Sequence, residues 1–62
     1  MCESTAYLEK DGKEELLLKE VGYFKPEGGG YLLRSILGDE KLVEADLKEI
    51  NLLEHKIVLS AK

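Results

Sequence analysis

The sequence has little of what usually stabilises a short chain or carries chemistry. Its 62 residues include one cysteine, one histidine and one proline. A single cysteine excludes a disulfide within the chain and is typical of a protein in a reducing cytosol. Because a chain of this length buries only about 60% of the surface that its unfolded form exposes, we expect a metal or a partner subunit to add stability.

Long apolar runs and an excess of basic residues are also missing. The longest apolar runs, such as residues 16–18, are far too short to cross a membrane. The first residues lack the basic and apolar regions of a signal peptide. The net charge is −4, whereas nucleic-acid binding draws on a basic surface. We therefore expect an acidic, soluble, cytoplasmic protein for which nucleic acid is an unfavoured partner.

Turn signals divide the chain into short segments. Asp11-Gly12 is a strong signal for a two-residue hairpin. Further breaks are marked by Pro26 with residues 28–30, by Gly38-Asp39 and by Glu54-His55. Breaks at intervals of roughly 8–12 residues are typical of a sandwich or small barrel. The sequence therefore predicts an all-β fold, with one domain over residues 1–62 that forms a small, partly open antiparallel barrel, SH3-like or Sm-like, of five to six strands.

The apolar residues of the predicted strands partly alternate. A period of two places Ala6 and Leu8 on one face of their strand. The same period places Val21 and Tyr23 together, on the face opposite to Phe24. Because both faces of several segments are partly apolar, some outward faces are expected to be covered, as at the interface of a homodimer.

The segment around Asp46 leaves two alternatives open. Val43, Leu47 and Ile50 have helical spacing, and Asp46 with Glu49 would form a capping box. Short apolar runs are ambiguous by periodicity alone. The segment is therefore either a strand or a short helical turn near Asp46.

No group of catalytic residues is recognisable. The single cysteine and histidine do not suggest a catalytic triad, and the carboxylates are spread along the chain. Residues 28–30 are glycines without the Lys-Ser/Thr of a phosphate-binding loop, and they predict a turn that requires positive φ. His55 is expected to be an exposed turn residue, because one histidine without partners specifies no site. We expect a binding protein rather than an enzyme.

Cys2 is the candidate metal ligand because of its position. If Met1 is removed, its thiol and the terminal amine can close a five-membered chelate ring around a metal. If Met1 stays, the backbone nitrogen of Cys2 or Glu3 can serve instead. Two chains related by a two-fold axis would provide two sulfurs and two nitrogens, a set that suits Ni(II) or Cu(II) when square-planar and Zn when tetrahedral. A buried, inert cysteine is the alternative.

Several segments together resemble one known family. The resemblance runs through residues 1–4, 6–8, 10–15, 25–28, 36–41 and 48–59, and so covers nearly the whole chain. In this order and at this length, the segments resemble the CooT family of small nickel-binding proteins. The resemblance implies homodimers of small β-barrel-like subunits, with one Ni(II) held at the dimer interface through Cys2 of each chain.

The resemblance also implies a role in nickel delivery. It favours a metallochaperone or metal-storage protein with a nickel enzyme as its maturation client, such as carbon monoxide dehydrogenase. The alternative function is an RNA-binding module, in which Tyr7, Tyr23 and Tyr31 would stack on bases. The acidic charge does not favour that alternative.

Overall fold

The fold is a single curled sheet of six strands in the described part of the chain. The structure is a computed structural model, and it describes residues 4–61. The strands are β1 (Ser4–Lys10), β2 (Lys13–Glu27), β3 (Gly30–Ser35), β4 (Glu40–Val43), β5 (Ala45–Asn51) and β6 (Lys56–Ala61). Residues 4–61 contain no helix. The predicted all-β, partly open barrel is confirmed.

The strand order across the sheet is β4-β3-β2-β1-β6-β5. Strands that follow each other in the chain pair as antiparallel neighbours at four of these boundaries. The pair formed by β1 and β6 is parallel, with Thr5 opposite Lys56. Only antiparallel strands were expected from the sequence, so this parallel pair differs from the expectation. Turn signals report local connections, whereas β1 and β6 are brought together by the curl of the whole sheet.

The predicted turns lie where strands end. Asp11 and Gly12 both have positive φ, at 54° and 79°, which is the backbone of the tight hairpin that Asp-Gly favours. Gly28 and Gly38 have φ of 58° and 101° and lie between β2 and β3 and between β3 and β4. The last tight hairpin, at Glu54-His55, joins β5 to β6.

The second strand is long because it pairs with two different neighbours along its length. Its first half pairs with β1 and its second half with β3. The register shifts between Val21 and Tyr23, where Gly22 is the extra residue. This bulge interrupts the period of two, because the side chains after it point to the opposite face of the sheet. As a result Val21 and Phe24 both pack at the core and Tyr23 is exposed, so the predicted grouping of Val21 with Tyr23 is wrong.

The core lies on the concave face of the sheet. Its cluster of buried residues consists of Ala6, Val21, Leu33, Ala45, Ile57 and Leu59. Leu8 packs against this cluster, which confirms that Ala6 and Leu8 share a face. Val58, which alternates with Ile57 and Leu59, is also buried, so both faces of β6 are covered within one chain.

The segment around Asp46 is a strand. It forms β5 and pairs with β6 from Ala45 to Asn51, so the alternative of a helical turn is wrong. The helical spacing of Leu47 and Ile50 has another cause. The register shifts between Leu47 and Glu49, and the extra residue, Lys48, lets Leu47 and Ile50 face the same side although they are three positions apart.

The sheet curls into a half-barrel that stays open between its edge strands. β4 and β5 are the two edges of the sheet, and only Glu44 separates them along the chain. At Gly30 the backbone approaches Val43 so closely that a Cβ atom would overlap the Val43 carbonyl. The described residues include no helix that is long and apolar enough to cross a membrane.

Candidate metal centre

The residues predicted to bind metal, Cys2 and Glu3, lie outside the described residues. The structure describes the part of the chain to which they connect, from Ser4 onward. Within residues 4–61 no group of three or more histidine, aspartate or glutamate side chains is placed to hold a metal ion. Ser4 and Thr5, at the start of β1, are the described residues nearest to Cys2 and Glu3 along the chain.

The start of β1 is held between two neighbouring strands. Ser4 pairs with Val21 of β2, and Thr5 pairs with Lys56 of β6. The backbone N–H of Thr5 also donates a hydrogen bond of 2.9 Å to the carbonyl oxygen of His55. Backbone hydrogen bonds on both sides fix the direction in which the chain enters the sheet.

His55 contributes its backbone to this arrangement. It has a positive φ of 54° at the end of the β5–β6 turn, and its side chain is exposed. The turn is supported by the backbone N–H of Glu54, which donates a hydrogen bond of 3.0 Å to the Asn51 Oδ1. The prediction of His55 as an exposed turn residue is confirmed, and its carbonyl anchors β1.

A second turn lies at the same end of the sheet, beyond β2. The buried hydroxyl of Ser35 accepts hydrogen bonds of 3.1 Å from the backbone N–H groups of Leu37 and Asp39. The N–H of Ile36 donates to the carbonyl of Glu20 at 2.9 Å. These bonds hold the β3–β4 turn rigidly in place, with Leu37 75% exposed.

Large apolar side chains are exposed in the two turns at this end of the sheet and along β5. We call them the apolar rim, and its members are Ile36, Leu37, Leu47, Ile50, Leu52 and Leu53. Leu53 is 94% exposed and Leu52 is 75% exposed, and both lie in the β5–β6 turn. The rim was not expected from the sequence. Its one signal there is the presence of apolar residues inside turns, where polar residues are usual.

Charged residues near the start of β6 lie on the convex face. Lys56 Nζ lies 3.1 Å from the Glu14 Oε1 and 5.3 Å from the centre of the Tyr7 ring. The hydrogen bond to Glu14, and then the negative charge of that carboxylate, raise the pKa of Lys56 above its ordinary value of 10.5. This ion pair is therefore a charged feature of the convex face, whereas the apolar rim consists of uncharged side chains.

The glycine loop lies away from the start of β1. It borders an open cavity of about 230 Å³ whose lining includes Pro26, residues 28–30 and Tyr31. Asp46 is the one charged side chain of the lining, so the cavity does not offer the positive charge that a phosphate would need. The interpretation of these glycines as a turn is confirmed at Gly28, where φ is 58°.

The three tyrosines do not form one stacking surface. Tyr31 stacks on Phe24, with 4.9 Å between ring centres, and packs against the core cluster. Tyr23 lies under the Arg34 guanidinium at 4.9 Å, and Tyr7 under Lys56. Each ring already has a partner within the chain, which does not favour the stacking on bases that the RNA-binding alternative requires.

Comparisons with known proteins agree with this fold. The model of the family described as CO dehydrogenase accessory protein CooT matches residues 1–60. Among solved structures, a chain described as a candidate CooT from Carboxydothermus hydrogenoformans is 36% identical, with a TM-score of 0.91 and 98% of each chain covered. No significant match was found among curated proteins.

Proposed function

Because the chain belongs to the CooT family of CO dehydrogenase accessory proteins, we propose that it is a cytoplasmic nickel-binding protein and not an enzyme. It acts as a metallochaperone or metal-storage protein for the maturation of a nickel enzyme. Each homodimer takes one Ni(II) as cargo through Cys2 of both chains.

The observation that carries this proposal is the extent of the family match. The match begins at residue 1 and ends at residue 60, so it includes Cys2 and Glu3. The proposal therefore depends on Cys2 and Glu3 lying within the matched range.

The donor set of one chain is incomplete. Cys2 is the only cysteine in the sequence, and one thiolate with one nitrogen fills half of a square-planar site. Two copies related by a two-fold axis supply two sulfurs and two nitrogens. Mixed nitrogen and sulfur donors in a square plane suit Ni(II). The nitrogen is the terminal amine or a backbone amide of Cys2 or Glu3.

Nickel binding should weaken as the pH falls. A thiol has an ordinary pKa of about 8.5 and a terminal amine one of about 7.7–8.0. Nickel must displace protons from its ligands, so each ligand that is protonated in the free protein reduces the apparent affinity. The test is a series of nickel titrations between about pH 6 and about pH 8.5. A pH-independent affinity would contradict the assignment of a thiolate ligand.

The decisive experiment is a titration of the reduced, untagged protein with Ni(II), followed by thiolate-to-metal charge-transfer absorption. We expect a break at half an equivalent per chain. Cys2→Ser should abolish the absorption and tight binding while leaving the fold intact, because the described core does not include the thiol. The matched control is His55→Ala, which removes the only imidazole and should titrate as the wild type.

The outcomes separate the alternatives. Full nickel affinity in Cys2→Ser would overturn the proposal. Loss of binding in His55→Ala with retention in Cys2→Ser would move the site to the β5–β6 turn. Absence of any metal-dependent absorption would leave Cys2 as an ordinary thiol.

A further inference from the structure

The curled sheet is open between its two edge strands. β4 and β5 do not pair with each other. Apart from Val43 and Ala45 on either side of Glu44, no Cα atom of β4 lies within 8 Å of one in β5. Neighbouring strands of a sheet are about 4.7–4.9 Å apart. The gap is therefore wider than one strand spacing, and no strand of residues 4–61 pairs with the outer edge of β4 or of β5.

The concave side of β5 is apolar and only half covered. Leu47 pairs with Leu59 and Ile50 with Ile57, so Leu47 and Ile50 face the core side, because residues opposite each other in a sheet share a face. They nevertheless remain 40% and 45% exposed, since no further strand of the sheet lies beside β5. A long edge strand with exposed apolar side chains is a surface to which another strand can add.

The convex side of β5 is acidic. Asp46 and Glu49 lie on this side, opposite Ser60 and Val58 of β6. Neither carboxylate forms an ion pair with any residue that the structure describes, whereas Lys48, which lies between them, is engaged in an ion pair with β1. A chain that approaches this edge therefore meets apolar side chains on one side and carboxylates on the other.

The cavity at the glycine loop lies where β5 begins, at the end of the opening away from the start of β1. Its volume is about 230 Å³, and Ala45 and Asp46 of β5 line it together with Pro26, Tyr31 and the glycines. Tyr31 is the aromatic residue of this lining, and its ring stacks on Phe24. An aromatic residue beside a carboxylate suits the side chain of lysine or arginine, which has an apolar stem and a charged end.

We propose that β5 binds an extended segment of a partner protein in which apolar residues alternate with lysines or arginines. The segment adds to the sheet as a further strand, and its backbone pairs with the outer edge of β5. Its apolar side chains cover Leu47 and Ile50, its basic side chains lie beside Asp46 and Glu49, and a basic residue at one end enters the cavity. This inference goes beyond the function proposed above and depends neither on nickel nor on Cys2.

Charge complementarity favours a basic segment over an acidic one. The net charge of the chain is −4, so a basic segment is attracted from a distance as well as at the edge itself. An acidic segment would place its carboxylates beside Asp46 and Glu49 on the same face of the sheet. Like charges on adjacent strands destabilise strand pairing. The occupant is therefore a segment with basic residues on its convex side.

The other edge strand is less suited to strand addition. β4 has four residues, whereas β5 has seven. Lys41 of β4 is exposed and lies on the concave side, opposite Leu33. Short edge strands and lysines on an edge are two means by which sheets avoid pairing with other chains. The lysine of β5, Lys48, is instead bound back across β6 to Glu9, away from the open edge, so the segment is assigned to β5.

The test uses the reduced, metal-free protein and a fluorescein-labelled peptide of alternating valine and lysine that is as long as β5. Fluorescence anisotropy should show binding to the wild type. The dissociation constant should rise about fivefold or more in Asp46→Lys and in Glu49→Lys, because each variant places a like charge beside the peptide. The matched control is Glu15→Lys, which changes the net charge equally but lies on β2, separated from β5 by β1 and β6. It should bind the peptide nearly as well as the wild type. All three positions are exposed, and circular dichroism of each variant confirms that it is folded.

Hydrogen exchange locates the contact on the sheet. Backbone amides on the outer edge of β5 should exchange more slowly when the peptide is bound, because an added strand provides them with acceptors. The amides of β4 should exchange as they do in the free protein. A peptide with proline in place of its central valine should not bind, since proline lacks the donor and disrupts pairing. A peptide of alternating valine and glutamate should not bind either.

Three results would overturn the inference. The first is a wild type that does not bind the peptide, which includes the case in which a second copy of the chain covers β5. The second is an equal loss of affinity in Glu49→Lys and Glu15→Lys, which would show attraction by net charge alone. The third is slowed exchange elsewhere than on β5. The nickel titration of Cys2→Ser is a separate measurement, so failure of the proposed function and failure of this inference are distinguishable.

Discussion

Single residues with unusual backbone angles shape two of the turns and the second strand. Among the described residues other than glycine, Asp11, Glu20 and His55 have positive φ. Asp11 and His55 lie in hairpin turns, but Glu20 lies inside β2 with φ of 58°. Its carbonyl accepts the hydrogen bond from the Ile36 N–H, so the strained residue positions the β3–β4 turn.

Replacement of Glu20 by glycine should stabilise the protein. A left-handed conformation costs an ordinary residue about 1–2 kcal/mol, whereas glycine adopts it without that penalty but loses more chain entropy on folding. We expect Glu20→Gly to raise the free energy of unfolding by up to about 1 kcal/mol, measured by urea denaturation at one protein concentration. The control, Glu15→Gly, lies in the same strand without positive φ and should lower stability by about 0.5–1 kcal/mol. Equal losses in both variants would contradict the strain at Glu20.

Gly30 should tolerate no side chain. An added Cβ would overlap the carbonyl oxygen of Val43 and lie 2.8 Å from the Glu44 Cα, and both contacts are with backbone that cannot rotate away. We expect Gly30→Ala to cost about 3 kcal/mol or more in urea denaturation, in the range of severe overpacking. Gly28→Ala is the control, since nothing lies within 4 Å of its Cβ position. There the positive φ alone should cost about 1–2 kcal/mol.

At the scale of the strands, ion pairs connect strands that are not neighbours. Lys48 on β5 reaches Glu9 on β1 at 2.6 Å, and Lys56 on β6 reaches Glu14 on β2. In each case one strand lies between the partners. Exposed pairs of this kind contribute about 0.2–1 kcal/mol to stability. Their main effect is therefore on how the strands align with each other across the curled sheet.

The pair of Lys56 and Glu14 makes a prediction about pH. The pKa of Lys56 is raised in the folded protein, so its contribution to stability is complete below the ordinary value of 10.5 and is lost as the pH rises through the higher folded value. An NMR titration should show a higher pKa for Lys56 in the wild type than in Glu14→Gln. Glu44→Gln, which removes a carboxylate that does not act on Lys56, should leave this pKa unchanged.

Local elements could be predicted from the sequence, and non-local ones could not. Asp11-Gly12 identifies its hairpin because only a few residue types tolerate two successive positive φ angles. The register shift at Gly22 has no equally specific signal, since a glycine in a strand is compatible with several backbone geometries. The candidate site likewise has one part that the sequence predicts and one part that it does not. Cys2 could be singled out by its chemistry and position, whereas the rim depends on how two distant turns come together.

At the scale of the whole molecule, the net negative charge disfavours association of two copies, whereas exposed apolar surface favours it. In the proposed homodimer, two copies with a net charge of −4 each repel each other, and contacts between apolar surfaces must overcome that repulsion. Salt screens the repulsion: the Debye length falls from about 10 Å at 0.1 M to about 3 Å at 1 M. Burial of apolar area is not weakened by this screening.

The proposed homodimer should therefore become tighter as salt is added. We expect the dissociation constant without metal to fall about threefold or more between 0.1 and 1 M sodium chloride, because screening removes repulsion between like-charged copies. Sedimentation equilibrium at several salt concentrations measures this directly. A dimer that loosens with salt would indicate an interface held by ion pairs in place of apolar contacts.

The parallel pairing of β1 with β6 decides the order in which the protein can assemble during synthesis. The strands β1 to β4 are joined by local hairpins, and β5 with β6 forms another. The two parts are paired only through β1 and β6, a contact that closes nearly the whole chain into one loop. Such non-local contacts form late, since their loop entropy is lost before they stabilise anything. The first strand leaves the ribosome first but obtains its second neighbour last, so a nascent chain cannot complete the end of the sheet at which β1 starts before β6 has emerged.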